Sequence, residues 1–313
     1  MLHERKSRGR KSFLLGRPPR GTLPQLYAFW FHCLLFVTAV SASSCSKDKP
    51  STTEPQLQAD SISITLLPSW QVAMASLDLF IYDDSGIRPL LYHKGVTGAC
   101  KSLKAPNPGA DFIAVAIANT PGRINPEALG SFDAMENLSM SYSSELAEAP
   151  LMSGMAQAKG GSSLSIRLTP LLCAVQLESI DNLLEGRPLL RNPRVYFRYA
   201  NASAQVLRQD GFRPSQTVES PQGLRSPELF CAYLGQDIGY FRREPGISLY
   251  CYPNDSPFAT IGTPRTELIL EAECEGETLG FATGLPALPR GSITHAHVVA
   301  DDKHLIFCKN PGN

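Results

Sequence analysis

The sequence lacks most of the patterns on which enzymes and nucleic-acid binders depend. Its 313 residues carry 29 basic and 29 acidic side chains, so the formal net charge is zero and a strongly basic nucleic-acid binder is excluded. It has no GxSxG, P-loop, HExxH or strand-following GxGxxG motif, and no CxxC pair. We therefore expect no enzyme activity, no cofactor and no nucleic-acid partner.

A hydrophobic segment too short to span a membrane lies near the N-terminus. Residues 26–40 form an apolar run that His32 interrupts, whereas a transmembrane helix needs about 20 apolar residues. Small residues at 42–44 stand directly before Cys45. This order is typical of a bacterial lipoprotein, so we predict that residues 1–44 are a signal peptide and that Cys45 is lipidated. The alternative is an ordinary cleaved signal followed by an unmodified cysteine.

Charge is divided unevenly between this signal and the rest of the chain. Residues 1–44 hold seven basic side chains and one acid, which leaves 22 basic and 28 acidic side chains in the other 269 residues. The predicted mature chain therefore has a net charge of −6. Residues 45–58 are polar and carry Pro, Ser and Thr, a composition typical of a flexible tether. We predict a surface-exposed protein that the lipid on Cys45 anchors in the outer membrane.

Six cysteines follow Cys45 in the predicted mature chain. An even number of cysteines in an exported protein is compatible with a disulfide framework. Cys173, Cys251 and Cys274, however, lie in alternating apolar patterns, where a buried free thiol is the simpler interpretation. The sequence leaves both interpretations open.

Alternation of apolar and polar residues recurs along the mature chain and predicts β-strands. Ile62, Ile64 and Leu66 share one face of the first predicted strand. Residues 111–118 are apolar at nearly every position, which predicts a strand buried on both faces. Further strands are predicted at 76–82, 163–168, 194–199, 247–252, 267–272, 277–281, 293–299 and 304–307.

Loop and turn signals divide this β-rich chain. The Gly- and Pro-bearing segment 181–193 predicts a boundary between two all-β domains, residues 59–182 and residues 183–313. The spacing of the strands is typical of β-sandwiches with Greek-key connections. Ser131 is a predicted N-cap of one short helix, and Glu275-Gly276 a predicted hairpin turn.

Histidines and glutamates are the candidate metal ligands. His295 and His297 share one face of a predicted strand, but no third ligand lies nearby in the sequence. Two histidines on a solvated face are therefore the simpler interpretation. Four glutamates alternate with other residues, as in a calcium site, although a charged outer face that prevents sheet aggregation explains the pattern better. They are Glu271, Glu273, Glu275 and Glu277. We predict no metal site.

Several segments, taken in order, resemble a known family. After the predicted lipid site and tether, the second strand ends in Asp83-Asp84-Ser85-Gly86. The fully apolar strand continues into Ala118-Asn119-Thr120, and Leu151-Met152-Ser153-Gly154 precedes the next strands. These segments resemble the bacteroidete-type fimbrillins and Mfa-like fimbrial subunit lipoproteins. The resemblance implies two tandem transthyretin-like (Greek-key) β-sandwich domains and a role in building or anchoring cell-surface fimbriae.

The resemblance also implies how subunits join. In that family, a trypsin-like surface protease cuts the precursor after its first strand, and a strand of another subunit fills the vacated groove. In this chain, the strand to be replaced would be Ser61–Leu67, with Ile62, Ile64 and Leu66 as its anchors. The implied partners are therefore other fimbrial subunits, which join through β-strand addition.

The chain departs from the family pattern at the expected cleavage site. No Lys or Arg occurs from Pro50 through Ile87, and the first basic residue after Lys49 is Arg88. We therefore expect the first strand and the lipid to be retained, which favours an anchor or accessory subunit over a stalk subunit. The position of the first strand discriminates between assembly and a non-polymerising surface protein. An edge strand whose removal exposes a long apolar groove favours assembly, and a central, irreplaceable strand favours a monomeric surface protein.

The alternative function is a non-polymerising surface lipoprotein that binds a glycan or a host or bacterial protein. Such an adhesin would need an exposed aromatic cluster or a calcium site. Trp70, Tyr82 and Tyr92 are the sequence candidates for a sugar platform. With a single Trp in the predicted mature chain, packing of these rings in the core or at its rim is the simpler interpretation.

Overall fold

A computed structural model describes residues 61–208, 214–256 and 264–309. The predicted signal, the lipidation site Cys45 and the tether 45–58 lie outside the described residues. Most of the regular structure in the described ranges is β-strand, as the sequence predicts. Within these ranges, no helix is long and apolar enough to cross a bilayer.

The elements are defined here in chain order. The first strands are β1 Ser61–Pro68, β2 Ser76–Asp83, β3 Leu90–Thr97, β4 Ser102–Pro106, β5 Phe112–Ala118, β6 Ser139–Ser141, β7 Met152–Ala158, β8 Leu164–Pro170 and β9 Cys173–Asn182. The remaining strands are β10 Arg191–Arg198, β11 Ala200–Asn201, β12 Ser203–Gln205, β13 Thr217–Val218, β14 Cys231–Tyr233, β15 Ile247–Cys251, β16 Glu267–Cys274, β17 Glu277–Gly284, β18 Ile293–Ala300 and β19 Leu305–Lys309. The α-helix α1 is Phe132–Glu136, and 3-10 turns span Pro126–Leu129, Tyr142–Ser144 and Pro227–Leu229.

Seven strands of the N-terminal part form a folded sheet. Their hydrogen-bonded order is β3-β2-β5-β7-β8-β1-β4. The junction between β7 and β8 consists of two residue pairs, Met152 with Pro170 and Ser153 with Thr169. The halves on either side of this junction contribute to one apolar cluster, so they face each other as the layers of a sandwich. All seven residues of β5 are buried, as the sequence predicts.

The C-terminal part contains a five-stranded sheet, β14-β10-β16-β17-β19, and a three-stranded sheet, β15-β9-β18. Side chains of both sheets, such as Leu270 and Val298, lie in a second apolar cluster. Phe80 of β2 and Ile117 of β5 belong to the same cluster. Because these two strands also line the first cluster from their other face, they are covered on both sides.

The pairing of β9 determines where one set of sheets gives way to the other. This strand pairs antiparallel with β15 and parallel with β18. The change of sheet therefore falls between Pro170, the last residue of β8, and Cys173, the first of β9. Residue 182, after which we predict the domain boundary, is the last residue of β9. The division into two domains stays a prediction.

Local sequence signals for the helix and one hairpin are confirmed. The Ser131 hydroxyl accepts a hydrogen bond from the Ala134 N–H at 3.3 Å, which caps α1 as predicted. Glu275 and Gly276 join β16 to β17 with φ angles of 50° and 87°. Positive φ at both central residues is typical of a type I′ hairpin turn.

The cysteines of the described residues are free thiols, and Cys173, Cys251 and Cys274 are buried. Cys173 and Cys251 lie directly opposite each other on β9 and β15. Burial raises the pKa of both thiols, so the uncharged form is favoured. The free-thiol interpretation of these three residues is therefore confirmed.

Candidate strand-exchange site

The three predicted anchors lie together on the inner face of β1. Ile62, Ile64 and Leu66 are 2%, 0% and 3% exposed, while Ser61 and Ser63 on the outer face are exposed. This clean alternation follows from the period of two residues in a strand. The fold thus brings together the strand-exchange residues that the sequence predicts; Cys45 lies outside the described residues.

β1 has a hydrogen-bonded neighbour on each side. It pairs antiparallel with β4, where Ile64 lies opposite Leu103, and parallel with β8, where Leu66 lies opposite Ile166. The first strand is therefore internal to its sheet and is not an edge strand. Its removal would leave a slot whose two rims, β4 and β8, both present unpaired backbone groups.

The apolar side chains of β1 face the opposite layer of the sandwich. Leu79 and Ile81 of β2 and Ala114 of β5 share the cluster in which the three β1 side chains are buried. Burial of an isoleucine or leucine side chain stabilises a fold by about 1.5–3 kcal/mol.

The connection from β1 to β2 is attached to the body of the protein. The Ser69 N–H donates to the Leu168 carbonyl at 2.8 Å, and the Trp70 indole N–H donates to the Gly291 carbonyl at 3.3 Å. The Asn119 side chain accepts from the Ala75 N–H at 2.8 Å. These contacts hold the segment in which family members are expected to be cut.

Arg88, the first basic residue after β1, is engaged in several contacts. Its guanidinium pairs with Asp133, lies 3.2 Å from Oε2 of Glu136 and stacks 4.6 Å from the centre of the Phe132 ring. It follows β2, so cleavage there would remove β2 together with β1. The structure thus places the first basic residue after β1 beyond β2, in line with the absence of a basic residue between the two strands in the sequence.

A partly buried arginine joins segments that are distant in sequence. Arg290 donates to the carbonyls of Thr169 and Val206 at 2.7 Å each, and to the Ser153 hydroxyl at 2.8 Å. It also donates to the Pro170 carbonyl at 3.2 Å. Burial lowers the pKa of the guanidinium to about 10. Arg290 therefore connects the β7–β8 junction to the segment that leads into β18.

A buried carboxyl group lies near this arginine. Glu145 accepts hydrogen bonds from the Leu151 N–H at 3.0 Å and from the Tyr252 hydroxyl at 2.8 Å. Burial raises the pKa of Glu145 to about 7. Sequence reasoning missed Glu145 and Arg290, because each is a polar residue in a loop and has partners that lie far away along the chain.

The aromatic candidates do not form a platform. Tyr82 is fully buried and its hydroxyl donates to the Leu129 carbonyl at 3.1 Å. Trp70 is partly buried, with its ring 5.9 Å from that of Tyr250. Tyr92 packs at the margin of the first cluster. Core and rim packing, the simpler interpretation of these three rings, is therefore confirmed.

Two of the four candidate glutamates, Glu271 and Glu273, lie on the outer face of the five-stranded sheet. Glu271 pairs with Arg194 at 2.6 Å, and Glu273 accepts from the Asn192 amide at 3.2 Å. Glu275 lies in the hairpin turn, and Glu277 accepts from the Cys308 thiol at 2.7 Å. These contacts fit the charged outer face that the sequence favours. His295 and His297 are exposed on β18.

Comparison with known proteins identifies a structural relative. A candidate cell adhesion protein from Bacteroides eggerthii matches with a TM-score of 0.56 and 11% identity, over 77% of this chain and 86% of that chain. The chain shares the fold of this Bacteroides protein. The resemblance inferred from the sequence is thus confirmed at the level of fold.

Two fimbrial structures are also similar to the chain. A fimbrial assembly protein from Parabacteroides distasonis has a TM-score of 0.49 and 12% identity, over 78% of this chain and 93% of that chain. A fimbrilin from Porphyromonas gingivalis has the same TM-score and the same identity, over 69% of this chain and 71% of that chain. No protein-family model and no curated protein matches the sequence.

The two segments that carry the family resemblance have clear structural roles. Asn119 has φ of 62°, a left-handed conformation that asparagine tolerates better than most residues. Its amide also donates to the Ala73 and Pro150 carbonyls, at 2.8 and 3.0 Å. A Cβ atom on Gly154 would lie 1.9 Å from the Arg167 carbonyl oxygen, so the close approach of β7 and β8 requires glycine.

Proposed function

We propose that the chain is a lipid-anchored subunit of a surface fimbrium, at an anchor or accessory position, that assembles by β-strand complementation and contributes to adhesion. The fold shared with the Bacteroides eggerthii cell adhesion protein supports a place among surface proteins of this architecture. The observation that carries the anchor position is that β1, with three buried anchors, lies between two hydrogen-bonded neighbours; this internal position opposes a stalk role, in which β1 would be replaced, and assembly by strand complementation rests on the family resemblance.

β1 fills the slot into which a partner strand would fit. A strand from another subunit could replace its hydrogen bonds to β4 and β8 and place alternate apolar side chains where Ile62, Ile64 and Leu66 lie. Such a replacement requires that β1 leaves first. Because β1 has two partners and three buried anchors, its departure without cleavage is costly.

The missing basic residues indicate that β1 stays. An Arg- or Lys-specific protease has no site between β1 and β2, and Arg88 lies beyond β2 in a network of contacts. A subunit whose slot is closed by its own strand cannot accept a neighbour there, so it ends the series of subunits at that face. The predicted lipid precedes the same strand, which favours an end position at the membrane.

Mass spectrometry of the protein released from the cell surface tests this proposal. We expect the mature chain to begin upstream of β1 and to carry a lipid on Cys45. Replacement of Cys45 by Ser should abolish the lipid mass and release the protein from the membrane, while β1 is retained. A mature N-terminus after Leu67 would exclude the anchor proposal, because β1 would have been removed.

A second candidate function is supported by an exposed aromatic pair. Tyr240 and Phe241 are 63% and 81% exposed, and their rings meet edge to face at 5.4 Å. The Arg187 guanidinium stacks 4.3 Å from the centre of the Tyr240 ring. Backbone hydrogen bonds between Arg243 and Ile180 fix the loop, so the rings are held in place without a cover. Fixed exposed aromatics suit ligand binding by an adhesin.

Adhesion measurements test this second function separately from assembly. Purified protein should adhere to glycan-coated or cell-coated surfaces, and the double variant Tyr240→Ala/Phe241→Ala should lose this adhesion. Ile87→Ala is the matched control, because Ile87 is equally exposed and lies in another loop. Equal adhesion of the double variant and the wild type would remove the support for an adhesin site at this loop.

A further inference from the structure

A glutamate from a neighbouring strand lies between the two histidines of β18. Glu178 of β9 has its Oε1 atom 2.7 Å from Nδ1 of His295. Its Oε2 atom is 3.2 Å from Nε2 of His297. The three side chains are about half exposed, so ions from solution can reach them. The sequence alone did not offer this third ligand, because β9 and β18 are far apart along the chain.

A bulge in β9 lies beside the histidines and places Ser179 opposite His297. In the parallel pairing of β9 with β18, Ala296 lies opposite Leu177 and the next residue, His297, lies opposite Ser179. Glu178 is thus the extra residue of the bulge. Bulges re-aim side chains and are enriched near functional sites. Glu178 is exposed, on the opposite side of β9 from the buried Leu177, and it therefore lies on the face that carries the exposed His295 and His297.

Ser179 orients the ring of His297. Its hydroxyl lies 2.8 Å from Nδ1 of His297, which leaves Nε2 of the same ring directed at Glu178. A hydrogen bond at one ring nitrogen commonly fixes the tautomer and orientation of a histidine that binds a metal through the other. The structure therefore contains three ligand groups and a supporting contact for one of them.

We propose that Glu178, His295 and His297 bind one divalent transition-metal ion, with Zn²⁺ as the ion best suited to two imidazoles and one carboxylate. Three protein ligands leave a fourth, open position that faces solvent. As the side chains stand, they pair with one another, and no trio of His, Cys, Asp or Glu in the described ranges is placed to hold a metal ion. The ion replaces these contacts, because exposed imidazoles rotate about their side-chain bonds at little cost.

Titration calorimetry with Zn²⁺ tests the site on the full mature chain, purified without a histidine tag and with its exposed thiols alkylated. We expect one ion per chain. His295→Ala and His297→Ala should each weaken binding by about tenfold or more, and Glu178→Gln should also weaken it. His304→Ala is the matched control and should bind as the wild type does, because His304 pairs with Asp301 elsewhere. The proposal does not depend on the proposed fimbrial function.

A second measurement distinguishes this site from binding by cysteines. Co²⁺ should bind without a thiolate charge-transfer band in its absorption spectrum, because the ligands are nitrogen and oxygen. Such a band, no binding by the wild type, or unchanged binding by the double variant His295→Ala/His297→Ala would each overturn the proposal. Circular dichroism of the variants shows that lost binding is not lost folding, since all three side chains lie at the surface.

Discussion

At the scale of single residues, a buried glutamate and a partly buried arginine join distant segments of the chain. Glu145 accepts hydrogen bonds from the Leu151 N–H, just before β7, and from the Tyr252 hydroxyl, just after β15. Arg290 donates to carbonyl groups at the β7–β8 junction, among them that of Thr169. A buried polar group stabilises a fold when its partners are present and is costly when one is removed. Both residues therefore give sharp predictions for stability.

Glu145 should make the protein less stable as the pH rises. Burial raises its pKa from 4.5 to about 7 in the folded chain. The folded state therefore holds a proton that the unfolded state releases above its own pKa. The stabilisation is fully present below pH 4.5 and is lost between pH 4.5 and 7, by an amount on the order of 3 kcal/mol. Urea unfolding at pH 5 and pH 8 measures this difference.

Glu145→Gln should reduce that pH dependence, because glutamine stays uncharged across the range. Glu148→Gln is the matched control, since Glu148 is exposed three residues further on and should keep the wild-type dependence. If Glu145→Gln retained the full difference between pH 5 and pH 8, another group would be responsible for it.

Replacement of Arg290 should destabilise the fold strongly. Arg290→Ala leaves several buried acceptors without a donor, each of which costs about 1–3 kcal/mol. We expect a loss of about 3 kcal/mol or more in the free energy of unfolding, with Arg290→Lys intermediate because lysine restores the charge but not the planar array of donors. Arg123→Ala, at an exposed position, should change stability by less than about 0.5 kcal/mol. Similar losses for Arg290→Ala and Arg123→Ala would contradict this role.

At the scale of elements, the position of β1 determines how easily a strand of another subunit could replace it. It lies between β4 and β8 and completes one layer of the first sandwich. An edge strand could be exchanged at the cost of one set of hydrogen bonds, whereas β1 makes two sets and buries three anchors. The internal position makes removal of this strand without cleavage costly, and this supports the proposal that β1 is retained.

Ile64→Ala should therefore destabilise the protein by about 2–5 kcal/mol, the usual cost of a large-to-small change in a core. Ile64 is fully buried at the centre of β1. Ser63→Ala on the outer face of the same strand is the matched control and should be nearly neutral. Chemical denaturation of both variants measures the difference; a neutral Ile64→Ala would show that β1 is not held by its apolar face.

At the scale of the whole molecule, the apolar core does not stop at the predicted domain boundary. The second cluster contains residues of β2 and β5 together with residues of the C-terminal sheets. The pairing of β9 with β15 and β18 begins upstream of residue 182. Because the N-terminal sheet and the C-terminal sheets share this apolar cluster, unfolding of one exposes apolar side chains of the other.

We therefore expect a single unfolding transition for the mature chain. Trp70 reports on the β1–β2 connection by fluorescence, and far-ultraviolet circular dichroism reports on all strands together. The two signals should give the same midpoint in guanidinium chloride. Midpoints that differ clearly would show that the two parts unfold independently, as separate domains do.

The sequence by itself determined the local features of this protein. Strict alternation predicts β1, unbroken apolarity predicts the buried β5, and Glu275-Gly276 predicts the hairpin turn, because each depends on neighbouring residues. β3 was not predicted, since Leu90–Thr97 carries a Lys, a His and a Gly and alternates poorly. The absence of Lys and Arg before Arg88 is likewise a property of the sequence alone.

The tertiary structure decided the features that depend on distant pairing. Only strand order shows that β1 is internal, that β9 joins the C-terminal sheets, and that the pairing of β9 with β18 brings Glu178 beside two histidines. Glu145 and Arg290 acquire their roles in the same way. Hydrophobic periodicity specifies which face of a strand is buried, but it carries no information on which strand lies beside it, because backbone hydrogen bonds are alike in every pair.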